Sequence, residues 1–212
     1  RHKHFSYHMK NVYVFFFATQ FRTGKAIRLI TRNYYSHVAL SFTPDTSALY
    51  SYARYRYHEP LISGFGIEYT DRYNNPEKQV DIKVCKVSVT DAHFERIRER
   101  IDMYMKNQSV TRYNFFDVLA YPFNRHIELE FTHTCISFLL ELLAMQDVHT
   151  ITQLENKLDD CVIYEGPLQE FEATPSCGPV DFFERRRRIK VYASSARVFV
   201  LLTASLIKKF IA

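Results

Sequence analysis

The four cysteines, Cys85, Cys135, Cys161 and Cys177, include no C-x-x-C pair. That absence excludes a zinc ribbon, and four scattered cysteines in 212 residues do not form a dense disulfide framework. A reducing, cytoplasmic setting is expected. No uninterrupted apolar run approaches the ~18–20 residues that a membrane-crossing helix requires. The longest candidate spans residues 198–207, so an integral membrane protein is not expected. Neither an internal repeat nor a low-complexity segment is present, which leaves no case for a repeat array. No small-residue cleavage pattern follows the apolar residues 12–18, and Arg22, Lys25 and Arg28 come soon after. A buried strand is therefore expected there, not a signal peptide. Residues 1–8 read as upstream sequence joined to a start at Met9, and they are set apart from the fold.

Acidic side chains are nearly missing from the C-terminal stretch. Residues 182–212 hold eight Lys or Arg against Glu184 alone, net +7, whereas residues 1–181 hold 20 basic and 22 acidic side chains, net −2. Any anionic partner is expected to meet the tail, not the body. What the chain has in quantity is apolar and aromatic side chains, 47% and 16% of residues. That suffices to bury a proper core, and the expected organisation is one domain over residues 9–181 with a basic, apolar helical tail over 182–212.

Val12-Tyr13-Val14-Phe15-Phe16-Phe17 has the β-branched and aromatic content of a strand covered on both faces. Residues 23–32 read as a short helix. Residues 36–42 and 48–55 flank Thr43-Pro44-Asp45-Thr46-Ser47, the composition of a turn, and together predict a β-hairpin. Gly64-Phe65-Gly66 marks a loop. In residues 80–89 the apolar positions switch from Val80, Ile82 and Val84 to Cys85, Val87 and Val89, which predicts a bulge or a strand buried on both sides. Residues 91–106 form a helix with Phe94, Ile97, Ile101 and Met105 on its buried face, capped by Thr90 or Asp91. This order of elements gives an α+β domain, an antiparallel sheet packed against helices.

Thr132-His133-Thr134-Cys135-Ile136-Ser137-Phe138-Leu139-Leu140 places Cys135 where a helix begins. Unpaired N–H groups there carry partial positive charge, which in general favours thiolate over thiol and would steady an oxyanion. On a helical wheel at ~100° per residue, Leu139, Leu143, Ile136 and Leu140 follow Cys135 to one side, so Cys135 borders the buried stripe. A Cys beside leucines is also often a small inert core residue. The best base is His37, on a strand expected to be central, with Ala39 and Ser41 on the same face. A hairpin turning symmetrically about Asp45 sets His37 opposite Ala53 and Ala39 opposite Ser51, small side chains that leave room for a substrate. A lone strand His is commonly satisfied by a backbone carbonyl, which is the competing reading.

Ile30-Thr31-Arg32-Asn33-Tyr34-Tyr35-Ser36-His37-Val38-Ala39-Leu40, Leu49-Tyr50-Ser51-Tyr52-Ala53-Arg54, Gly64-Phe65-Gly66-Ile67-Glu68, Thr134-Cys135-Ile136-Ser137-Phe138 and Val162-Ile163-Tyr164-Glu165-Gly166-Pro167-Leu168 follow one another in that order. This series resembles the permuted NlpC-like cysteine hydrolases of papain-like fold, the YiiX-like group, with the lecithin retinol acyltransferase group as more distant relatives. The permuted members place His before Cys, as here. The resemblance implies a permuted papain-like fold, with Cys135 as nucleophile and His37 as general base. It further implies a thiol hydrolase that cleaves a peptide or isopeptide-like amide through an acyl-enzyme. A lipid-acting acyltransferase or esterase and a non-catalytic module binding an anionic surface are the alternatives. Related enzymes often carry a polar residue that orients the His on the next strand, where this chain offers Ser51; Glu68 is the other candidate.

Tyr35, Tyr50, Tyr52 and Ala53 are candidate substrate contacts, and His133 is expected to be exposed or a helix-start contact, not the base. No metal or cofactor is expected. The alternation Tyr50, Tyr52, Arg54, Tyr55, Arg56, Tyr57 could stack bases, but a packed strand with arginines reaching to water fits a net acidic body better, so nucleic acid is not the expected partner. The expected partners are a small-molecule, peptide or lipid acyl substrate, and an anionic membrane surface through Arg185, Arg186, Arg187 and Arg188.

Overall fold

The structure is a computed structural model that describes residues 9–19, 33–59, 61–73, 79–120, 127–172, 174–179 and 181–211. The helix expected over residues 23–32 and the upstream residues 1–8 lie outside these. In chain order the elements are strands β1 (Met9–Phe17), β2 (His37–Ser41), β3 (Leu49–Arg54), β4 (Ser63–Glu68) and β5 (Asp81–Thr90), then helix α1 (Asp91–Lys106). Next come β6 (Arg112–Tyr113), α2 (Phe115–Ala120), β7 (Thr132–His133), α3 (Cys135–Leu143), α4 (Ile151–Lys157), β8 (Val162–Pro167), α5 (Leu168–Phe171) and α6 (Arg188–Ile211).

Six strands make one antiparallel sheet in the order β4-β3-β2-β1-β5-β8, and β6 pairs with β7 in a short parallel ribbon. β1 is central, and its unbroken apolar run is explained by burial on both sides. Val12, Val14 and Phe16 join a core with Ile97 and Ile101 of α1 and Phe138, Leu139 and Leu142 of α3, while Phe15 and Phe17 join a second core with Ala39, Leu49, Ile82 and Val84. The β2–β3 register, Leu40 opposite Tyr50, is the one that a turn about Asp45 demands.

β5 uses both faces in succession: Ile82 and Val84 lie in the second core and Cys85 and Val89 in the first. Its register with β8 shifts at Val84/Cys85, where the apolar pattern changed sides. Thr90 caps α1 by accepting the His93 N–H at 3.2 Å.

Two expectations are corrected. Gly64-Phe65-Gly66 is not a loop but the middle of β4, facing Ala53, Tyr52 and Ser51 of β3. The glycines there serve close approach: a Cβ on Gly64 would lie 2.6 Å from the Tyr55 hydroxyl and 2.9 Å from the Thr111 carbonyl oxygen. On α1 the buried position in the last turn is Tyr104, and Met105 points outward. Separately, α6 is long and apolar enough, by length and composition alone, to cross a bilayer: Arg188–Lys209 spans 22 residues at mean hydropathy 1.3. Ser, Thr and Arg197 divide its apolar run without preventing the helix.

Candidate active site

α3 begins where a reciprocal cap fixes it. The Thr134 Oγ1 accepts the Ser137 N–H at 3.1 Å and the Ser137 Oγ accepts the Thr134 N–H at 2.9 Å, so Cys135 is the first helical residue. The buried face of α3 consists of Cys135, Phe138, Leu139, Leu142 and Leu143. Cys135 therefore stands in the middle of the buried stripe and not at its border, because Phe138 and Leu142 extend that stripe on its other side, whereas Ile136 and Leu140 turn toward a cleft.

α3 packs across β2 and β3. His37 is the first residue of β2 and Cys135 the first of α3, so the two side chains meet at the end of the sheet. The His37 ring is held from behind by Glu68 at the end of β4, with Nε2 2.6 Å from Glu68 Oε1. A carboxylate only accepts, so Nε2 carries the hydrogen and Nδ1 is the nitrogen left to Cys135, whose side chain hydrogen-bonds to the ring. Burial alone would push His37 down, but the Glu68 carboxylate and then the Cys135 sulfur outweigh it, and the ring is raised to about 10.

Glu68 is buried and fully used. Oε1 also accepts the Ser51 hydroxyl, while Oε2 accepts Arg72 Nη1 at 2.6 Å and the Tyr73 hydroxyl at 2.8 Å. Burial pushes this carboxyl up, yet His37 and then Arg72 hold it well below its usual range. Four donors fill the lone pairs of one carboxylate, which allows it to sit charged inside the protein. Of the two orienting candidates, Glu68 touches the imidazole and Ser51 acts on Glu68. Phe17 closes the side of the ring, its centroid 6.0 Å from that of His37 and 4.6 Å from that of Tyr73.

Tyr113, on β6, belongs to the site. Its hydroxyl hydrogen-bonds with both the side chain and the backbone of Cys135. Burial first, then the neighbouring Cys135 sulfur, raises the phenol well above its usual value, so it stays a neutral hydroxyl. No local signal could have found it: Tyr113 reaches Cys135 because β6 pairs with β7, setting Tyr113 opposite His133.

Cys135 opens onto a cleft of about 940 Å³ whose lining includes Asn33, Tyr113, Asn114, His133, Ile136, Leu140 and Lys209. His133 is engaged elsewhere, its Nε2 2.8 Å from the Tyr104 hydroxyl and 3.1 Å from Glu141 Oε2. The proposed substrate contacts are not among the lining residues. Tyr35 is buried with its hydroxyl donating to Glu165 at 3.0 Å, and Tyr52 is buried among Phe65, Tyr104 and Phe138. Tyr50 packs on Phe42, and Ala53 pairs with Gly64. On its own face the His37 ring has Phe17 and Glu68 beside it, and Tyr73 backs both of these.

The Tyr–Arg alternation serves packing: Arg54 lies over Tyr57 and Phe182, and Arg56 pairs with Glu184. Among the described residues no group of three His, Cys, Asp or Glu is placed to hold a metal ion. Compared with known proteins, the chain matches no family model, and neither curated proteins nor solved structures give a significant match.

Proposed function

We propose that the protein is a thiol hydrolase in which Cys135 and His37 cleave an amide bond through an acyl-enzyme, on a fold of the permuted papain-like kind. The observation that carries this reading is the chain of contacts Glu68–His37–Cys135, in which a buried carboxylate fixes the imidazole and turns its remaining nitrogen to a thiol at a helix start.

With His37 holding its proton, the Cys135 sulfur attacks the carbonyl carbon, a C–S bond forms and the carbonyl π pair moves to oxygen. The Cys135 N–H and the Tyr113 hydroxyl are the donors available to that oxyanion. Collapse breaks the C–N bond, the leaving amine takes the proton from Nδ1, and the resulting neutral His37 draws a proton from water as it attacks the thioester. Release of the acid breaks the C–S bond and restores the thiolate and imidazolium pair.

Ester cleavage or acyl transfer on a lipid uses the same steps with an oxygen leaving group or a second nucleophile. One observation favours that second reading: Lys209, near the end of the apolar helix α6, lines the cleft of Cys135. The test is site-resolved alkylation by iodoacetamide, with exposed Cys177 as internal reference. At pH 6, Cys135 is expected to react at least about ten-fold faster in wild type than in His37→Ala. Equal rates would leave only the non-catalytic module. Intact-mass detection of a retained acyl group after incubation with amide, ester and lipid donors then identifies the acyl class.

A further inference from the structure

Among the described residues nothing covers the outer face of α6. At ~100° per residue, Val191, Val198, Leu202 and Leu206 fall in one arc of ~80°, the side turned to the body, where Leu202 is buried. Ile189, Tyr192, Phe199, Val200, Ile207 and Ile211 fall within the next arc of ~120°, which turns away from the body, and each is more than half exposed. Lys190, Arg197 and Lys208 share a narrow arc of ~20° along one edge of that outward face. The helix is held lengthwise at both ends. Arg186 pairs with buried Glu59, the Tyr57 N–H donates to the Phe182 carbonyl at 2.8 Å, and Lys209 Nζ donates to the Glu128 carbonyl at 2.8 Å.

We infer that α6 docks flat on an anionic lipid bilayer, with its outward apolar face in the acyl boundary and Lys190, Arg197 and Lys208 at the headgroups. An exposed apolar stripe bordered by one basic line is the pattern of an interfacial helix. A second copy of the same chain does not fit, because two segments of net +7 would face each other. Crossing the bilayer does not fit either: it would draw Arg197 to the hydrocarbon centre and pull Leu202 and Lys209 from the body. The docking is independent of the chemistry at Cys135. Because Lys209 lines the same cleft as Cys135, it also sets that rim of the cleft against the headgroups.

The chain contains no tryptophan, so Tyr192→Trp, Phe199→Trp and Ile207→Trp each report from one place on the outward face. These are made in the full chain carrying Cys135→Ala, which separates docking from turnover. With vesicles containing phosphatidylglycerol, all three are expected to blue-shift and to be quenched to the same shallow depth by lipids brominated along the acyl chain. Binding should weaken at least ten-fold when phosphatidylcholine replaces the anionic lipid or when Arg197→Glu is added. Absence of any blue shift overturns the inference. So does a mid-bilayer depth for Phe199→Trp with shallow positions either side, since that reports a crossing helix. Concentration-dependent dimerisation lost in Phe199→Ser, without vesicle binding, assigns the face to a second copy and also overturns it.

Discussion

Glu68 and His37 lie 2.6 Å apart, joined at the ends of two strands with β3 between them. The carboxylate is buried at 3% exposure and the imidazole retains 12% of its side-chain surface, so the pair is shielded from water on the side away from Cys135. A charge held so firmly behind the ring fixes its orientation and supports its proton.

Glu68→Gln keeps the shape but removes the charge and turns one acceptor into a donor. Turnover is expected to fall between about 10- and 10³-fold, because the ring loses its fixed tautomer. The pH dependence of Cys135 alkylation should change in the same variant, a readout that mere loosening of the fold would not move. Ser51→Ala, one step removed, should cost less than Glu68→Gln.

Tyr113→Phe removes one hydroxyl from beside Cys135. If that hydroxyl serves the oxyanion, kcat should fall on the order of 10²–10³-fold with KM little changed. Steady-state kinetics on whichever substrate forms an acyl-enzyme decides this, and an unchanged kcat would remove Tyr113 from the reaction.

The raised His37 makes stability depend on pH with a definite sign. Its folded value of about 10 lies above the ordinary 6.5, so the native state holds a proton that the unfolded chain releases. The contribution is full below about pH 6.5, shrinks as pH rises and is gone above about 10. Urea unfolding of wild type and His37→Ala at pH 6, 8 and 10 should give a stability difference that narrows toward high pH. Glu68, held low, acts in the opposite direction, its contribution present above its ordinary 4.5 and lost as pH falls through its folded value.

Gly64→Ala should destabilise by about 1–3 kcal/mol through overpacking against Tyr55 and Thr111. Thr111 directly precedes β6, and its Oγ1 accepts the Phe65 N–H at 3.1 Å. The same variant is therefore expected to displace Tyr113 and lower activity beyond what the loss of stability explains, measurable at a temperature where the variant is fully folded.

The extent of α1, the hairpin register and the first residue of α3 were legible in the chain because each is set locally. Thr90 caps one helix, Asp45 centres one turn, and Thr134 with Ser137 closes one cap. His37 and Cys135 could be named as partners from residue type and order alone. Their third companion could not, since Ser51 and Glu68 both end up on the same face and only the β3–β4 pairing sets Glu68 against the ring.

Tyr113 was beyond reach for the same reason, because its role depends on a two-residue ribbon formed by segments about twenty residues apart. Of the tyrosines read as substrate contacts, Tyr35 and Tyr52 went into the core and Tyr50 packs against it, since a strand position with aromatic content and a buried face is worth more as packing than as a pocket wall. The sequence by itself determined that a thiol stands at a helix start and an imidazole on a core strand. Tertiary structure decided that the two meet, because pairing between distant strands and the capping of a buried carboxylate by four donors are properties of contacts that no local window contains.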